Sequence, residues 1–60
     1  MAGTDFRPAL TAQTAEPGRR IVHLTGGWRA TIQDVAWPAL TVVFDADLDR
    51  GKADHRKVWA

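Results

Sequence analysis

The sequence predicts a mainly β protein: a small antiparallel sheet of three to four strands behind an extended N-terminal arm. Three observations lead there. Two β-prone runs, "RIVHLT" and "WRATIQ", flank Gly26-Gly27. The run "ALTVVF" at 39–44 is almost wholly apolar and of strand length. Residues 1–19 are poor in large apolar side chains and broken by Gly3, Pro8, Pro17 and Gly18.

The arm comes first in the chain. Phe6 and Leu10 are its large apolar anchors, apart from Met1. Pro8 suits the first position of a short helix over "PALTAQTAE", and Pro17 stops that helix. So short a helix is marginal in water. The segment is expected either to be flexible or to order against a partner through Phe6 and Leu10.

Residues 20–34 read as a hairpin. Both central glycines tolerate positive φ, which a two-residue turn requires. A turn of that length sets Thr25 opposite Trp28, His23 opposite Ala30 and Ile21 opposite Ile32. Ile21, Trp28, Ala30 and Ile32 then share the core face, while Arg29, Thr31 and Gln33 alternate outward. A helical stripe competes over the same residues, because Trp28, Ile32, Val35 and Ala36 recur at helical spacing. The β-branched Thr31, Ile32 and Val35 favour the strand.

Pro38 cannot donate to a ladder and marks a strand start or an edge. Residues 40–44 are the central strand, since a strand covered on both sides needs little polarity. The polar stretch 47–54, "DLDRGKAD", is a turn. Residues 55–60 return as a last strand beside 40–44. An open sheet and a rolled SH3-like barrel both fit this order. The division is an arm over 1–19 and a β domain over 20–60.

Size and composition exclude several functions. A chain of 60 residues sits near the lower limit for folding alone. It has too few walls for a buried catalytic cleft, so no enzyme is expected. Cysteine is absent, which removes any disulfide staple. The formal net charge is only +1, too little to steer the whole chain onto nucleic acid or a membrane. No apolar run approaches a membrane span, and the N-terminus has no long apolar leader. The expected location is the cytoplasm, or a particle assembled there. Abundant alanine, a strong preference for arginine over lysine and the lack of serine and asparagine suggest a GC-rich bacterial or bacteriophage genome.

The most suggestive motif is "FDADLDRG" at 44–51. Asp45, Asp47 and Asp49 occupy alternate positions, as in the first half of a calcium loop. Counting on, Arg50 takes the place of the glycine and Arg56 that of the bidentate glutamate. A solvated turn explains the acids better than a metal site, and no cofactor is expected. The stretch 50–57 is basic, with Arg50, Lys52, Arg56 and Lys57 close to Trp59. Basic groups interleaved with aromatics can bind nucleic acid, but the neighbouring aspartates weaken that field. His23 lies among apolar residues and reads as a half-buried structural histidine.

Three tryptophans, Trp28, Trp37 and Trp59, exceed what so small a core can cover. Trp37 or Trp59 is expected at the surface, where tryptophan often anchors interfaces. The function expected from the sequence is a non-catalytic interaction or structural subunit of a larger assembly, of phage or phage-derived type. Its partner residues are Phe6, Leu10, Trp37 and Trp59, and its partners are other protein subunits or copies of itself. A small nucleic-acid-binding barrel is the alternative, with a calcium-stabilised module behind it.

Overall fold

A computed structural model describes residues 5–52 and 54–60. Among them the chain forms β1 (Phe6–Arg7), β2 (Arg20–His23), β3 (Arg29–Ala36), β4 (Ala39–Phe44), α1 (Asp45–Asp49) and β5 (His55–Trp59). The strands make one sheet in the order β1-β2-β3-β4-β5, and each neighbouring pair is antiparallel.

The sheet is mainly β as expected, but it has five strands rather than three or four and does not close. Strands adjacent in sequence are adjacent in space, so β1 and β5 end up at opposite edges. A rolled barrel would need those two edges to meet, and here they do not.

Residues 29–36 are strand, not helix. The hairpin before them differs from the expected one. Ile21 pairs with Ala30, Val22 with Arg29 and Arg20 with Thr31. The loop is four residues, 24–27, because the His23 N–H already bonds the Trp28 carbonyl (2.8 Å) and the Gly27 N–H bonds the His23 carbonyl (2.8 Å). The side chains explain the longer loop. The His23 and Trp28 rings lie face to face, 4.8 Å between centroids and 6° from parallel. The His23 Nδ1 also accepts the Gly26 N–H at 2.8 Å. A two-residue turn would separate these rings. The shift is by two residues, so every side chain keeps the face the alternation predicts.

One face of the sheet is the core. Ile21, Ala30, Ile32, Leu40 and Val42 are buried on it, with Val35, Phe44 and Val58 packed alongside. The segment after β1 covers this face with Leu10 and Ala15. A turn positions it: the Thr11 hydroxyl and carbonyl accept the Thr14 N–H, and the Thr11 carbonyl also accepts the Ala15 N–H. The expected arm is thus part of the fold from Phe6 onward. Phe6, 2% exposed, and Leu10, 4% exposed, anchor it to the chain's own sheet. Residues 1–4 lie outside the described residues.

β3 carries a bulge. Ile32 pairs with Val42 but Asp34 pairs with Thr41, leaving Gln33 as an extra residue. The inward parity changes there, from Ala30 and Ile32 before it to Val35 after it.

The expected turn at 47–54 begins as a helix. Asp45 and Asp47 fall in its first turn, where the exposed N–H groups favour negative charge. Its end is a Schellman motif. The Gly51 N–H bonds the Leu48 carbonyl, and the Lys52 N–H bonds the Asp47 carbonyl. Gly51 makes this possible, with φ at 76°.

Candidate interaction surface

The face opposite the core is built in rows across the strands. Arg7, Val22 and Arg29 form one row; Arg20, Thr31, Val43 and His55 the next; Asp34, Thr41 and Lys57 a third; Ala36, Ala39 and Trp59 the last. Such a mixed, largely polar face is what a one-sided antiparallel sheet presents to water. α1 packs against β3 and β4 and leans over this side, with Leu48 and Thr31 lining the same hollow. Val43 is buried there.

The exposed tryptophans gather at the far end. Trp59 pairs with Ala39 at the end of β5 and is 65% exposed. Trp37 and Pro38 form the two-residue connection from β3 to β4, and Trp37 is 36% exposed. The Pro38 carbonyl accepts the Ala60 N–H at 2.8 Å, which ties the chain's last residue to this turn. Trp37 and Trp59, of which one was expected at the surface, therefore both sit at one end of the sheet.

The third tryptophan has a different role. Trp28 is the middle of a stack. His23 covers one side of it, Phe44 lies 4.8 Å away on the other, and Phe6 meets both His23 and Trp28 edge-on. The Arg56 guanidinium continues the stack over the Phe44 ring at 4.9 Å. Its Nε donates to Asp47 Oδ2 at 3.0 Å. The stack closes the open end of the core, between the 24–27 loop and α1.

These contacts settle where the charged candidates go. Asp47 is buried and accepts Arg56; Asp45 accepts the Arg20 guanidinium at 2.9 Å; Asp49 is exposed at the end of α1. Two of the three aspartates are therefore held by arginines. Among the described residues no three His, Asp or Glu side chains come together as a metal site. The Arg56 pKa is raised, first by its hydrogen bond to Asp47 and then by the carboxylate's charge. A raised pKa stabilises the fold below the ordinary arginine value for as long as the carboxylate carries its charge. At the alkaline end that contribution fades as pH passes the folded-state value.

The basic residues do not form one patch. Arg56 lies on the core side over Phe44, Lys57 projects from the opposite face, and Arg50 and Lys52 follow α1. The cations of the outer face are Arg7, Arg20, Arg29 and Lys57, with Asp34 and Asp45 among them. Strand pairing, not sequence proximity, brings them together, and a linear reading finds them only if the register is known.

Two open hollows flank the Arg20–Asp45 pair. One, of about 280 Å³, is lined by Ile21, Val22 and Arg29; the other, of about 390 Å³, by Thr31, Leu48 and Asp49. No helix among the described residues is long and apolar enough to cross a membrane. Compared with protein-family models, curated proteins and solved structures, the chain matches none.

Proposed function

We propose that the chain is a non-catalytic interaction module, a structural subunit of a larger protein assembly. The observation that carries this reading is Trp59. Among the described residues it is the most exposed large apolar side chain, at 65%, and it stands on an edge strand beside the Trp37 turn. A side chain of that size contributes little to the fold from such a position, whereas buried in an interface it is a strong anchor. The composition directs the search for partners to bacterial and bacteriophage structural proteins.

Nucleic acid ranks behind a protein partner. The four basic residues of 50–57 point to different sides of the fold, and aspartates interrupt the cations of the outer face.

The test is capture by the tagged full chain, with the partner identified, purified and titrated back. Trp59→Ala is expected to weaken that complex by more than about tenfold while changing stability by under about 1 kcal/mol. Equal affinity of the variant and the parent overturns the reading.

A further inference from the structure

We infer that β5 pairs with β5 of a second copy, antiparallel and about a two-fold axis through Val58, so that one sheet runs through both chains. This rests on the interaction reading above and names its partner.

Among the described residues β5 has β4 on one side and no strand on the other. The direction of its free groups follows from the ladder. Ala60 donates to Pro38, and Val58 and Arg56 pair with Leu40 and Val42. Residues along an antiparallel strand alternate in the direction their N–H and C=O groups point. Ala60, Val58 and Arg56 therefore turn toward β4, and His55, Lys57 and Trp59 turn their backbone groups outward. The edge is a row of unpaired donors and acceptors.

Side chains select the occupant and the register. A two-fold pairing centred on Lys57 sets Lys57 against Lys57, and one centred on Arg56 sets Arg56 against Arg56. Like charges directly opposite are unfavourable. Centring on Trp59 sets Trp59 against Trp59 and leaves each Lys57 a diagonal step from the other chain's indole. Centring on Val58 removes every clash. Lys57 of each chain then lies opposite Trp59 of the other and exchanges both backbone bonds with it. The ammonium meets an indole that is 65% exposed in the single chain, a cation–π arrangement. On the core side Val58 meets Val58 and extends the apolar row, while Arg56 faces Ala60 and keeps Asp47. Lys57 thus has two effects: it blocks the register that would use the whole edge, and it supplies the contact in the one that remains.

The cysteine-free sequence gives a direct test. In the inferred register Val58 faces itself as a non-hydrogen-bonded pair, with Cα atoms about 4.5 Å apart, within disulfide range. Val58→Cys is expected to give a covalent dimer on mild oxidation, and Lys57→Cys, displaced diagonally from its own copy, is not. The unmodified chain is expected to sediment as a dimer. Lys57→Pro removes an outward N–H without touching the β4 ladder, so it is expected to weaken dimerisation by more than about tenfold with an unchanged circular dichroism spectrum. Efficient Lys57→Cys cross-linking overturns the register. A monomeric parent chain, or a Lys57→Pro variant as dimeric as the parent, overturns the self-pairing. If the chain is monomeric and Trp59→Ala still weakens capture of a different protein, the interaction module stands without the dimer; if Trp59→Ala has no effect either, both readings fall.

Discussion

Leu40→Ala is expected to leave the chain unfolded, or nearly so, at room temperature. Leu40 has no exposed surface and sits on β4, a strand with neighbours on both sides, paired with Val35 of β3 and Val58 of β5. Truncating a buried leucine to alanine typically costs about 2–5 kcal/mol, because apolar contact is lost and a cavity remains. A core this small supplies only about 3–5 kcal/mol in total. The two figures are comparable, and no disulfide makes up the difference. Urea unfolding followed by circular dichroism is the measurement. A cooperative transition within about 1 kcal/mol of the parent would show that stability resides elsewhere.

Gly26→Ala is expected to be the most damaging of the glycine-to-alanine changes in the 24–27 loop, at about 1–3 kcal/mol. The cause is steric rather than conformational. A Cβ at Gly26 would lie 2.7 Å from Trp28 Cδ1 and Nε1 and 2.8 Å from His23 Nδ1. Neither ring can retreat freely, since Trp28 is held between His23 and Phe44. Gly27 is the control. It has φ at 70° but open space around it, so Gly27→Ala meets backbone strain of about 1 kcal/mol and leaves the stack intact. Unfolding midpoints and the ring-current shift of the His23 protons separate the two mechanisms. If Gly27→Ala proves the more damaging, or if His23 keeps its shift in Gly26→Ala, the stack is not what the loop protects.

How much of this was legible depended on whether the signal was local. The β4 run announces itself, because a strand with neighbours on both sides is apolar along its length. The core face of β2 and β3 was readable too, since alternation survives a register shift of two. The register itself was not: the His23–Trp28 stack fixes it, and ring stacking leaves no periodic trace. The helical stripe Trp28, Ile32, Val35 has a concrete origin. The bulge at Gln33 turns a spacing of two into a spacing of three, so Ala30, Ile32 and Val35 face the core, and an interrupted strand imitates a helix. α1 was hidden because alternate aspartates look like a strand or a metal loop. Its Schellman end was nonetheless present in the sequence, as Gly51 just past Arg50. The exposure of Trp37 and Trp59 was readable from the surplus of tryptophan. The burial of Phe6 and Leu10 was not, because a sparse segment gives no sign of which surface it covers.

The bulge also bears on how this chain can diverge. Strand interiors ordinarily resist insertions and deletions, since each one reverses the side chains beyond it. β3 differs at one position. Without Gln33, Asp34 would follow Ile32 directly and still meet Thr41, Val35 would still meet Leu40, and Ala36 would still meet Ala39. The ladder would become regular with no side chain changing face. A single-residue length difference between related chains is therefore tolerable in mid-strand here, and an alignment that confines its gaps to loops would misplace the whole second half of the protein.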